Sequence, residues 1–161
     1  MNIKRLAFAT VGALALAAGG MAYASVTYST AAGNARLTAG LITTGTSAGA
    51  SVDGQSSYGI MVIGDSSLST SCTGAHVLVT VTLQKPSFSI SSKVATLLGV
   101  PLSATPSANG TAALANLCDS GNNVVISGLT VGTSGTDVTV STTTISTSVP
   151  VSVTSGTITT Q

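Results

Sequence analysis

Apolar and polar residues alternate at a period of two along most of this chain, and a segment patterned that way can bury one clean face only as a β-strand. Val77, Val79, Val81 and Leu83 alternate with Leu78, Thr80, Thr82 and Gln84. Leu37, Ala39 and Leu41 alternate with Thr38, Gly40 and Ile42, and Val138 and Val140 with Thr139 and Ser141. Ile145, Val149, Val151 and Val153 fall on one parity, with mostly Ser or Thr opposite. β-Branched Val, Ile and Thr suit a pleated surface. Tyr58 to Ile63 and Asn123 to Leu129 are apolar enough to read as strands buried on both faces. Clusters of Gly, Asn, Asp and Ser at Gly45–Gly54, Asp65–Gly74, Asp119–Asn122 and Gly132–Asp137 read as turns. Ser92–Gly99 reads as a short helix or a distorted strand, and Thr111–Leu117 as one or two helical turns, with Pro101 and Pro106 between them. About eight strands and one short helix predict an all-β fold, an antiparallel β-sandwich of jelly-roll type.

The N-terminus predicts export. Lys4 and Arg5 precede an apolar stretch from Leu6 to Ala18, and Ala22-Tyr23-Ala24 is an A-x-A cleavage site. Basic head, apolar middle and small-residue exit are what a signal peptidase reads. An uncleaved anchor needs about 20 apolar residues, which even the longer stretch from Leu6 to Ala24 barely reaches. Residues 1–24 are therefore expected to be removed, leaving a secreted chain that starts at Ser25. Cys72 and Cys118 are then the only cysteines of an exported protein, 46 positions apart, and most simply form one disulfide.

Charge narrows the partners. Charged residues are 6% of the chain, against about 25% in an ordinary soluble domain. After Ser25 the cations are Arg36, Lys85 and Lys93, too few and too scattered for nucleic acid. Low charge together with high hydrophobicity is the opposite of a disordered composition. It also permits self-association, because nothing keeps copies apart.

Residues for catalysis are sparse. The one His, His76, stands where a strand begins, and Asp53, Asp65, Asp119 and Asp137 are spread over turn segments that favour Asp for local backbone hydrogen bonds. Gly45-Thr46-Ser47-Ala48-Gly49 has Ala48 where a nucleophile elbow needs Ser. The pattern predicts no enzyme, cofactor, metal or small-molecule substrate. Asn109-Gly110-Thr111 is an N-glycosylation sequon, which makes Asn109 a candidate modification site.

The junction at Ala24 carries the strongest functional signal. Gly19 to Thr30 reads Gly-Gly-Met-Ala-Tyr-Ala-Ser-Val-Thr-Tyr-Ser-Thr, and Gly33, Asn34, Ala39, Gly40 and Leu41 follow in a G-N-x-x-x-x-A-G-L arrangement. These residues resemble the start of the TasA/camelysin-type biofilm fibre proteins and the related archaeal bundling pilins. The likeness covers a short part of the chain, and the sparse charge departs from the bacterial members towards the archaeal ones. It implies a jelly-roll subunit that polymerises by donating an N-terminal strand to the next copy, a form of β-strand addition. On that likeness Ser25, Val26, Thr27, Tyr28, Ser29 and Thr30 are the donor strand, with Val26 and Tyr28 on one face. Residues 25–34 are then donor and hinge, and 35–161 the β-domain. The competing expectation is an ordinary first strand folded onto its own sheet.

The expected protein is an extracellular, cell-surface filament subunit whose partner is itself and which meets a membrane only during export. A chaperone–usher-type pilin and a monomeric secreted surface or matrix module are the alternatives.

Overall fold

The computed structural model describes residues 29–160. They open with an α-helix, α1 (Thr30–Leu41), rather than a strand. Ser29, in extended conformation, caps it by accepting from the Ala32 N–H at 3.2 Å. The helix buries Gly33, Leu37 and Leu41 and exposes Ala39. Leu37 and Leu41 are compatible with a period of two and with helical i, i+4 spacing alike; Gly33 extends the helical row and Ala39 breaks the alternating one. Three consequences correct the sequence expectation. Ser29 and Thr30 start a helix instead of ending a donor strand. Ala31–Asn34 is its first turn, not a hinge. The domain already includes the helix, so it does not begin with a strand at Ala35.

The strands that follow are β1 (Ile60–Gly64), β2 (Val77–Thr82), β3 (Phe88–Ser91), β4 (Val94–Leu97), β5 (Leu102–Ala104), β6 (Gly110–Thr111), β7 (Leu114–Cys118), β8 (Val124–Gly132), β9 (Val138–Val140), β10 (Thr144–Ile145) and β11 (Val151–Thr159). The protein is thus all-β with one short helix. Eight of the strands run in the order β2-β1-β7-β8-β9-β11-β4-β3, β5 lies beside the first part of β11, and β6 and β10 form a separate pair. The sheet is mixed rather than purely antiparallel, because β8 and β9 pair in parallel at Val131–Val138 and Gly132–Thr139.

Ser92–Gly99 takes the strand form: Ser92 and Lys93 turn with φ of 51° and 67°, and β4 returns along β3. Thr111–Leu117 is not helical; it supplies the end of β6 and most of β7. Its Ala and Leu residues favour helix, but Ala115 and Leu117 face the core from a strand held between β1 and β8, and tertiary packing overrides propensity. The run through Ile145 and Val153 is split by a turn in which the Val149 N–H reaches Ser146, leaving Val149 exposed.

One large core holds Leu41, Met61, Ile63, Val81, Phe88, Leu117, Val140 and Val153 among others. A smaller cluster of Val62, Cys72 and Cys118 lies apart from it, so β1 is buried on both faces, as its continuous apolar sequence implies. Gly59, just before β1, has no room for a side chain: a Cβ there would stand 2.6 Å from the Val52 carbonyl oxygen and 3.2 Å from that of Cys118. Gly59→Ala should therefore destabilise the domain by about 1–3 kcal/mol, the usual range for overpacking. A thermal melt unchanged within one degree would refute that.

Candidate functional site

The site grows out of a mismatch in strand length. β9 stands between β8 and β11 but begins only at Val138. Below that point β8 continues back to Val124, and β11 continues on to Thr159. Thr157 still donates its N–H to the Asp137 carbonyl, at 2.8 Å. Beyond it β11 pairs with β4 alone, and Val124–Gly128 pairs with β7 alone, among the described residues. In sheet order the gap is one strand wide. Two facing strand edges thus present backbone N–H and C=O groups with no strand neighbour, the feature that invites another strand.

The gap opens into a groove of about 310 Å³. α1 supplies one wall through Leu37 and Leu41, β8 another through Val125 and Ile126, and Ile158 and Thr160 come from the end of β11. The lining is mainly apolar and includes Arg36. Thr160 Oγ1 is buried without a hydrogen-bond partner. The N-terminal end of α1 sits at this same place, since a Cβ on Gly33 would meet Thr160 Oγ1 at 2.8 Å and the Lys93 side chain at 2.7 Å. Asn34 Oδ1 fastens that turn by accepting from the Lys93 N–H at 2.7 Å.

Asp119 fixes the rim beside the start of β8. It is fully buried, and its carboxylate accepts from the N–H groups of Gly49 (2.7 Å), Gly121 (2.9 Å) and Asn123 (2.9 Å) and from Asn123 Nδ2. Burial by itself pushes the Asp119 carboxyl up; the hydrogen bonds from Gly49, Asn123 and Gly121 outweigh it and hold the pKa below the ordinary value of 3.8. Gly49 and Ala50 line the groove, so Asp119 ties that rim to the start of β8. Next to it the expected disulfide is formed, Cys72 to Cys118, and Cys118 pairs with Val124, the first residue of β8. Asn116 works on the same strand: its Nδ2 donates to the carbonyls of Ser69 and Ser71, and its Oδ1 accepts from Gly128 N–H, at the φ +76° kink where β8 irregularly leaves β7.

The other residues singled out in the sequence lie apart from the groove's lining. Of the expected donor strand, Ser25, Val26, Thr27 and Tyr28 fall outside the described residues. His76 is half exposed and holds Asp65 Oδ2 at 3.0 Å; that bond and the Ser67 N–H keep the Asp65 carboxyl below its usual range. Asn109 is exposed, with Oδ1 accepting from Thr147 N–H. The structural roles of Asn116 and Asp119 were missed. Asp119-Ser120-Gly121-Asn122-Asn123 announces a turn, but not that the same carboxylate reaches Gly49.

Fold and site define a class: an all-β domain whose N-terminal helix flanks an unfilled strand position, braced by a disulfide. No family model, no curated protein and no solved structure matches the chain.

Proposed function

We propose that this protein is an extracellular, non-enzymatic structural subunit that polymerises head to tail, with Ser25–Tyr28 of one copy adding as a short strand in the gap of the next. The observation that carries the proposal is the unfilled strand position between β8 and β11. Four extended residues span about 13 Å, and alternate side chains point the same way. Val26 and Tyr28 would then enter the apolar groove together while the backbone pairs with Val124–Gly128. The segment immediately precedes α1, whose first turns lie against Thr160 at the groove's end. The resemblance of the N-terminal sequence to biofilm fibre proteins supports the same arrangement, as does the low charge of the chain.

Electron microscopy and sedimentation of the mature protein test the proposal. The chain starting at Ser25 should form filaments. Deleting residues 25–28, or changing Val26 and Tyr28 to Asp, should leave a folded monomer, since each buried anchor is worth about 1.5–3 kcal/mol per joint. A peptide of residues 25–28 should raise the melting temperature of the truncated domain, as a ligand specific to the folded state does. Filaments formed by the truncated chain would refute the joint. A mature chain that stays monomeric at every concentration would refute head-to-tail polymerisation.

A further inference from the structure

The gap between β8 and β11 has two unlike ends. At one, β9 fills the strand position from Val138 onward, and the Asp137 carbonyl just before it still accepts from the Thr157 N–H at 2.8 Å. At the other, the gap runs out past Val124 and Thr159, the first residue of β8 and the last of β11. A strand entering this position is stopped by β9 and continues in line only past Val124 and Thr159.

That difference sets the direction of an incoming segment. Ser29 caps α1, so in every copy the helix starts directly after residues 25–28. A helix is about 10–12 Å across and does not fit a slot whose neighbouring strands each stand about 4.8 Å away. The helix of the donating copy therefore stays outside, with Tyr28 at the open end. Ser25 leads, antiparallel to β8, and its α-ammonium group comes to rest against the start of β9. Four residues laid along Val124–Gly128 bring that nitrogen to the end of the free edge, two positions short of Thr130.

The carboxylate at that place is Asp137. Its Oδ2 accepts from the N–H and the hydroxyl of Thr130 on β8, at 2.8 and 2.7 Å. A carboxylate has about four lone-pair positions, and Oδ1 accepts no bond among the described residues. The other aspartates are committed elsewhere: Asp53 to the Ser87 N–H, Asp65 to His76 and the Ser67 N–H, and Asp119 to the N–H groups of Gly49, Gly121 and Asn123. Among the described residues the one ion pair is that of Asp65 with His76, so Asp137 keeps its charge open to a cation.

We infer that Asp137 captures the α-ammonium group of Ser25 from the incoming copy, an inference that rests on the strand addition proposed above. An N-terminal amine is charged at neutral pH, and its bond to a carboxylate is charge-assisted. The contact fixes register. Four residues of backbone pairing specify it weakly, and a slip of one residue turns Val26 and Tyr28 away from the groove. A slip also draws the ammonium away from Asp137.

The test is the critical concentration for filament formation by the mature chain, read by sedimentation at low salt. Two changes remove the contact from opposite sides. Asp137→Asn removes the carboxylate charge. Brief periodate oxidation converts an N-terminal Ser to a glyoxylyl group, which lacks the ammonium, adds no bulk and leaves the domain unmutated. Each should raise the critical concentration about threefold to fivefold, the scale of an exposed ion pair. Together they should do no more than either alone, because both delete one interaction. The effect should shrink in about 1 M NaCl, and Asp65→Asn, the same charge change elsewhere, should not reproduce it. If the unmodified chain polymerises but either change is without effect, or the two effects multiply, the capture by Asp137 is overturned and strand addition stands. If the unmodified chain forms no filaments, strand addition falls and the capture falls with it.

Discussion

Changing Cys72 and Cys118 together to Ala should lower the unfolding free energy by about 4 kcal/mol, the chain-entropy value for a loop of this length. The bridge spans 46 positions and joins the connection between β1 and β2 to the end of β7. Cys118 lies opposite Ile60 on β1 and Val124 on β8, and the two cysteines form one buried cluster with Val62. The folded geometry does not rest on the bridge alone, because Asn116 independently holds the Ser69 and Ser71 carbonyls. The double variant should therefore fold to the same structure, with its loss arising mainly from a freer unfolded chain. Urea unfolding of both proteins measures it. The expected shift is a large part of the 5–15 kcal/mol available to a domain of this size. A difference below about 1 kcal/mol would mean that the loop-closure account fails here. Because Cys118 abuts the first residue of β8, loss of the bridge should also loosen the strand edge at the groove.

Period-two patterning was legible in β2 and β9, but Asn123–Leu129, read as buried on both faces, is only half-buried over Val124–Ile126 and exposed at Ser127 and Gly128. Val79 and Val81 are buried and Thr80 and Thr82 exposed, as their alternation requires. It misled at the N-terminus for an identifiable reason. Leu37 and Leu41, four apart, satisfy both periods, and the deciding residues were Gly33, Ala39 and the Ser29 cap. It was silent on β7, where Ala and Leu carry no strand preference and neighbours on both sides decide. The Cys72–Cys118 pairing followed from there being only two cysteines. The groove was not legible at all. It exists because β9 is short beside β8 and β11, and relative strand lengths are set by pairings between residues far apart in sequence. The buried hydroxyls of Ser51 and Ser87 were equally hidden, since Ser is abundant here and mostly belongs on surfaces.

Asp119→Ala should be the most damaging substitution of a charged residue in the domain, lowering stability by about 3 kcal/mol. It would strand the N–H groups of Gly49, Gly121 and Asn123, all of which now donate to one buried carboxylate. Asp119→Asn keeps one acceptor oxygen and should cost about half as much. The two variants also separate packing from charge through pH. The Asp119 pKa is held below 3.8 in the folded protein, so the ionised form binds the folded state more favourably than the unfolded one. Its contribution is complete above the unfolded value and disappears as pH falls through the lower, folded value. Wild-type stability should thus be level at neutral pH and fall below about pH 4, more steeply than that of Asp119→Asn. Asp65, exposed and shifted the same way by His76 and Ser67, adds a smaller step common to both proteins. Parallel acid curves for wild type and Asp119→Asn would show that the carboxylate charge contributes nothing. Under the proposed assembly the same residue would link stability to filament formation, because releasing the Gly49 rim from the start of β8 would cost the groove part of its wall. Asp119→Ala should accordingly form filaments poorly at temperatures well below its own melting point.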